Sequence, residues 1–126
     1  MILGTGVDLI EVGRIRSSYE RFGDRFVNRV LRPAEIAYCR SHRDPAPFLA
    51  ARFAAKEEIS KAFGTGIGSA LGWQDMEVGR KESGEPFVIL HEAGRRLLAA
   101  RGGTTVHLTL SHTKDHAVAV AILERL

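Results

Sequence analysis

The chain carries a single cysteine, Cys39, among 126 residues, which excludes an intrachain disulfide and leaves no thiolate cluster for a structural zinc site. No apolar run approaches the roughly 18 residues that a membrane-spanning helix requires, so membrane insertion is not expected. Aromatic residues are sparse, with six Phe, two Tyr and one Trp, and they fall in apolar patterns. The stacking platforms of a single-stranded nucleic-acid binder are therefore missing. The opening residues, Met1 to Asp8, lack a basic leader and put an acid where a signal peptide would be apolar; a cytoplasmic location is the expectation. No internal repeat, low-complexity stretch or linker interrupts the chain, and its length suits one core. One domain over residues 1–126 is expected.

The residues that are present describe a globular protein, 44% apolar and 26% charged. A formal charge of +3 and a pI near 9.4 make an anionic partner plausible. Ile2 to Val12 alternates apolar with small or polar positions and reads as a strand ending near Asp8 to Glu11. Arg14 to Arg29 sets five arginines among Ile15, Tyr19, Phe22 and Phe26 at spacings of three and four, a basic amphipathic helical segment interrupted at Gly23. Pro33 followed by Ala34 and Glu35 opens a helix from about Arg32 to Ser41. The longest helical pattern runs from Ala46 to Phe63 and stops at Gly64. Trp73 to Arg80 and Pro86 to Leu90 predict a hairpin, His91 to Arg101 a helix, and Val106 to Ile122 a second hairpin turning at Thr113 to Asp115. Strands at both ends with helices between them predict an α+β fold, with a mainly antiparallel sheet packed on one face against the long central helix and the shorter ones.

Three groups carry chemistry. Asp8 sits at the end of the first strand, where an unpaired carboxylate in apolar surroundings needs compensation. Glu57 lies in the long helix, four residues before Lys61. Two carboxylates suffice for magnesium, which keeps waters and shares substrate phosphate oxygens. Taken locally, Asp8 serves equally as a helix N-cap or a partner for Arg14, and Glu57 as a surface pair with Lys61. Lys56, Ser60 and Lys61 lead into a loop with glycines at Gly64, Gly66 and Gly68, where backbone amides can approach a pyrophosphate and the lysines can neutralise it. That loop ends a helix, so it is neither a Walker pattern nor a dinucleotide fingerprint. Ser111, His112, Thr113 and Lys114 gather hydroxyl, imidazole and ammonium donors at a turn, as phosphate binding needs. A serine hydrolase is disfavoured because adjacent strand residues face opposite ways and no nucleophile elbow surrounds Ser111.

Gly6-Val7-Asp8-Leu9-Ile10-Glu11, Arg52-Phe53-Ala54-Ala55-Lys56-Glu57, Ser60-Lys61-Ala62-Phe63-Gly64-Thr65-Gly66 and Ser111-His112-Thr113-Lys114 together resemble bacterial holo-acyl-carrier-protein synthase, the short type of 4'-phosphopantetheinyl transferase. The resemblance spans essentially the whole chain. It implies that fold, and an enzyme of fatty acid biosynthesis that moves the 4'-phosphopantetheine arm of coenzyme A onto a serine of apo acyl carrier protein, releasing adenosine 3',5'-bisphosphate. It implies that Asp8 and Glu57 hold magnesium and that Lys61 neutralises the pyrophosphate or assists the leaving group. It places His112 and Thr113 at the 3'-phosphate, with Arg52 and the Gly64 to Gly68 loop along the nucleotide. It further implies a homotrimer with active sites between subunits. Acyl carrier proteins are acidic, so Arg14, Arg21 and Arg25 are assigned to docking; Arg16 and Arg29 are left as solvated charges. The competing readings are a coenzyme A or nucleotide binder without transfer, which would gain little from paired acids beside an anion, and a basic nucleic-acid-binding domain.

Overall fold

In the computed structural model, which describes all 126 residues, β1 (Ile2–Glu11) leads directly into α1 (Val12–Phe22) and α2 (Asp24–Val30). Gly23 separates those two helices at φ 54, ψ −126, a backbone region that glycine enters without a Cβ penalty. α3 (Pro33–Arg40) and α4 (Ala46–Ala62) follow, then a hairpin of β2 (Met76–Arg80) and β3 (Pro86–Leu90), α5 (Glu92–Ala100), and a second hairpin of β4 (Thr105–His112) and β5 (His116–Glu124). The expected α+β class, both hairpins and the break at Gly23 are present. One boundary differs: Trp73 to Asp75 forms a single 3₁₀ turn, closed by Asp75 Oδ2 accepting the Gly72 amide at 2.7 Å, and β2 starts only at Met76.

The three-stranded sheet has order β1-β5-β4, antiparallel throughout, so the two chain ends meet at its centre and one edge. α4 lies across one face. On that face β5 presents Ala117, Ala119, Ala121 and Leu123, all buried, and α4 answers with Ala50, Ala51, Ala54, Ala55 and Ala62. Small residues on both sides let helix and sheet come close at crystal-like packing density. β1 goes further. A Cβ at Gly4 would collide with the Ala62 carbonyl, and one at Gly6 with the Glu58 carbonyl, so only glycine allows the backbone of α4 to rest on the strand. Beyond the sheet, Val12, Ile15, Val27, Val30, Leu31 and Leu49 form one cluster; Ile59, Phe63, Leu71, Met76 and Leu123 form a second at the far end of α4.

The opposite face of the sheet has no helix over it. Val7 and Leu9 are 64% and 60% exposed there, in register with Val120 and Val118 of β5.

Candidate active site

Asp8 shares the α4-facing side of β1 with Gly6, and the close approach at Gly6 brings α4 beside it. Lys61 Nζ lies 3.5 Å from Asp8 Oδ2 and 3.2 Å from Glu58 Oε1. Asp8 caps no helix; its Oδ1 accepts the neighbouring Leu9 amide at 2.7 Å. The expected Glu57 to Lys61 surface pair is not formed either, since Lys61 turns to Asp8 and Glu58 instead. Glu57 nonetheless belongs to the same field: burial raises its carboxyl above the usual range, Glu58 and then Asp8 add to the rise, and Lys61 and Arg14 oppose it. Burial works against the Lys61 ammonium, but Glu58 and then Asp8 outweigh it and hold its pKa above the ordinary value. Glu58 is fully buried, and burial raises its carboxyl too. Neither of its oxygens has a well-formed hydrogen bond.

Oxygen donors from Asp8 and Glu57 fit a hard divalent ion such as magnesium. No three histidine, cysteine or acid side chains converge into a cage.

Lys56, expected among the phosphate-neutralising lysines, is withdrawn from that task. It is wholly buried, with Nζ donating to Glu35 Oε1 at 2.7 Å, the Val30 carbonyl at 2.7 Å and the Trp73 carbonyl at 3.1 Å. The glycine loop is likewise occupied. Gly64 and Gly66 take positive φ of 81 and 65, which brings the Thr65 and Gly66 amides back to the Ser60 carbonyl at 3.2 and 3.1 Å. The Gly64 amide donates to the Lys61 carbonyl and that of Gly68 to the Leu71 carbonyl. The loop thus caps α4 and shapes the surface, with these four amides already used.

Arg52 and His112, far apart in sequence, border one cavity of about 280 Å³ together with Phe48, Arg80 and Ser111. The Arg52 guanidinium lies 4.2 Å over the Tyr38 ring, its Nε buried without a partner, and burial pulls its pKa below the usual guanidinium value. The His112 ring meets Phe48 edge-on at 4.8 Å. Thr113 closes the β4–β5 turn, its Oγ1 accepting the His116 amide at 3.1 Å.

A larger cavity, about 520 Å³, runs between α1, α2 and α4, with Arg14, Arg25 and Arg29 on its rim and Phe22, Phe26, Phe53 and Trp73 along its wall. Phe53 and Trp73 stack at 4.9 Å. Arg29, assigned to solvent from the sequence, belongs to this groove. Arg21 instead lies over the Phe22 ring at 5.1 Å, and Arg16 is held by Asp44 at 2.8 Å. Arg80 and Glu58 were not singled out either. Glu58 had one signal: it is the second acid of an adjacent pair and is followed directly by the apolar Ile59.

A family model described as the 4'-phosphopantetheinyl transferase superfamily matches residues 4–121. The chain belongs to this family. It is 49% identical to the holo-acyl-carrier-protein synthase of Koribacter versatilis (strain Ellin345), over 98% of this chain and 99% of that protein. Among solved structures, it superposes on the holo-acyl-carrier-protein synthase of Neisseria meningitidis with a TM-score of 0.92 at 34% identity, covering 99% of this chain and 100% of the other. The Bacillus anthracis enzyme, solved in complex with CoA (3',5'-ADP), gives 0.82 at 38% identity, covering 100% and 99%. The superfamily's fold is therefore the fold of this chain.

Proposed function

We propose that this protein transfers the 4'-phosphopantetheine arm of coenzyme A to a serine of apo acyl carrier protein and releases adenosine 3',5'-bisphosphate. Family membership supports the reaction. The observation that carries the site is the meeting of Asp8, Lys61 and the carboxylates of α4 beside an arginine-rimmed groove. In transfer between phosphate oxygens, most of the catalysis is in-line positioning and charge stabilisation. The nucleophilic serine comes from the carrier, so the chain needs none of its own.

In this reading Asp8 and Glu57 hold a magnesium ion, which when bound polarises the pyrophosphate and offsets its charge. Lys61, kept protonated by its acidic neighbours, meets the charge that develops on the leaving phosphate. Arg52 and His112 border the smaller cavity, where an unpartnered buried guanidinium nitrogen favours an anion such as the 3'-phosphate; Thr113 sits at its edge. Gly64, Gly66 and Gly68 contribute the contour of the nucleotide site, the amides of Gly64 and Gly66 being committed to the end of α4 and that of Gly68 to the Leu71 carbonyl. Arg14, Arg21 and Arg25, with Arg29 added, steer the acidic carrier into the groove.

The uncovered face of the sheet supports a homotrimer, since an apolar patch of this kind marks an association surface. We place the protein in the cytoplasm and in fatty acid biosynthesis, where its carrier and coenzyme A meet. No helix is long and apolar enough to cross a membrane. Cys39 is buried, its thiol pushed up to about 11, and takes no part.

The test is mass spectrometry of apo carrier protein incubated with coenzyme A, magnesium and this protein. A gain of the phosphopantetheine mass is expected; folded protein that produces none overturns the proposal.

A further inference from the structure

Glu58 is the one buried carboxylate beside the site that the reaction does not use. Its side chain is wholly enclosed, both oxygens lack a well-formed hydrogen bond, and its nearest charge is Lys61 Nζ at 3.2 Å. An uncompensated carboxylate in such a place costs stability, and because the side chain is wholly enclosed no solvent relieves that cost. Glu35, the other buried acid of the chain, spends its oxygens on Lys56, the Arg32 amide and the Val78 amide. Glu58 has only Lys61, and Lys61 is shared with Asp8 at 3.5 Å.

That sharing sets up a competition. A lysine ammonium paired with Asp8 occupies the carboxylate a divalent ion requires. We infer that Glu58 is a positioning residue that holds Lys61 on its own carboxylate and so keeps Asp8 open to the metal ion. When the ion arrives, Lys61 keeps one anchor, and it stays beside the site rather than swinging into solvent. Without Glu58, Asp8 is the only carboxylate left to Lys61, and every ion bound must displace it.

The inference rests on Asp8 as a metal ligand, and the experiment separates the two. Mn²⁺, which favours the same oxygen ligands as Mg²⁺, is titrated into the full chain and free ion followed by electron paramagnetic resonance, with no coenzyme A present. Glu58→Gln is expected to weaken binding on the order of tenfold, the size of coupling seen between contacting charges, and by less than about twofold when Lys61→Met is already present. Equal losses in the two backgrounds would mean that Glu58 acts on the ion directly, and no loss in either would mean that it does nothing to it; both overturn the inference. If Asp8→Ala binds Mn²⁺ as well as the unsubstituted protein does, the metal site itself is misassigned and the inference falls with it. If Asp8→Ala abolishes binding while Glu58→Gln changes nothing, only the inference falls. Should Glu58→Gln not fold, Glu58→Asp, which withdraws the charge by one methylene, runs the same cycle with the same expected sign.

Discussion

Lys56 Nζ lies 2.7 Å from Glu35 Oε1, and neither side chain reaches solvent. The pair joins α4 to α3, and through the Val30 and Trp73 carbonyls and the Val78 amide it also fixes the end of α2, the 3₁₀ turn and β2. Burial pulls the Lys56 pKa down while Glu35 holds it up, and all three ammonium hydrogens have acceptors. It stands directly before Glu57, so whatever moves Lys56 moves the candidate metal ligand.

Lys56→Met removes the cation and leaves Glu35 buried without it. Breaking one side of a buried ion pair costs about 3–5 kcal/mol, and urea denaturation should show a loss of that order. Glu35→Gln keeps one acceptor oxygen where the Arg32 and Val78 amides use two, and it strands the Lys56 cation, so it should cost a similar amount. A Lys56→Met variant as stable as the unsubstituted protein would show that the pair contributes nothing to holding α4.

Gly6→Ala should be costly at a position that looks innocuous. The added methyl meets the Glu58 carbonyl, and overpacking of this kind costs about 1–3 kcal/mol. It also pushes α4 away from Asp8. Transfer activity is therefore expected to fall further than the stability loss explains, at temperatures where the variant remains folded by circular dichroism. Full activity in the folded variant would separate the glycine contact from the site.

Periodicity and punctuation made most of the fold legible. The steps of three and four between Ile15, Tyr19, Phe22 and Phe26, the break at Gly23 and the stop at Gly64 are local properties, and local physics enforces them. Lys56 was illegible for the opposite reason: Glu35 lies on another helix, and nothing in the spacing links them. A trace was present, since Leu49, Arg52, Lys56, Ile59 and Phe63 follow one another at steps of three and four, so two cations sit on an apolar stripe and require buried partners. The glycine loop misled in a different way. Glycine content told of positive φ, but not that the amides so turned would close on Ser60. Asp8 was recognised from its motif, whereas its contact with Lys61 came only with the packing of β1 on α4.

Glu58 should cost the free protein stability at neutral pH. Its pKa is raised in the folded state, so between the ordinary value of 4.5 and that raised value the folded chain binds more protons than the unfolded one, and stability falls as pH climbs through the window. Below it the carboxyl is protonated in both states and the penalty vanishes. Glu58→Gln is accordingly expected to raise the thermal midpoint at pH 7 and to leave it unchanged near pH 3.5. Lys61, its one partner, is half exposed and shared with Asp8, so it offsets only part of that penalty. An equal gain at both pH values would trace the effect to packing instead of charge.

Charge reversal at Arg14, Arg21 or Arg25 should raise the KM for carrier protein on the order of tenfold while sparing that for coenzyme A, and Arg29→Glu should behave alike because it shares the groove. Long-range steering weakens as salt shortens the screening length, so the difference between variant and unsubstituted protein should shrink at high ionic strength. Arg16→Glu is the control. It loses only its exposed pair with Asp44, and its carrier kinetics should change by less than about twofold. A uniform response across all five arginines would point to net charge and remove the docking assignment.

Leu9 separates assembly from folding. It lies on the face of β1 turned away from α4, 60% exposed, beside Val118 of β5, so a charge there disturbs no internal packing. In a homotrimer joined through this face the same charge would be repeated in every copy and buried against its equivalents, at a cost of several kcal/mol. Sedimentation velocity should show the unsubstituted protein as a trimer and Leu9→Glu as smaller species, with an unchanged circular dichroism spectrum. If the active sites lie between copies, transfer activity should fall with the trimer and recover in part as protein concentration rises, because mass action restores the assembly. Leu9→Glu that sediments as the unsubstituted protein does would remove this face as the interface, and a fully active monomer would show that each chain holds a complete site.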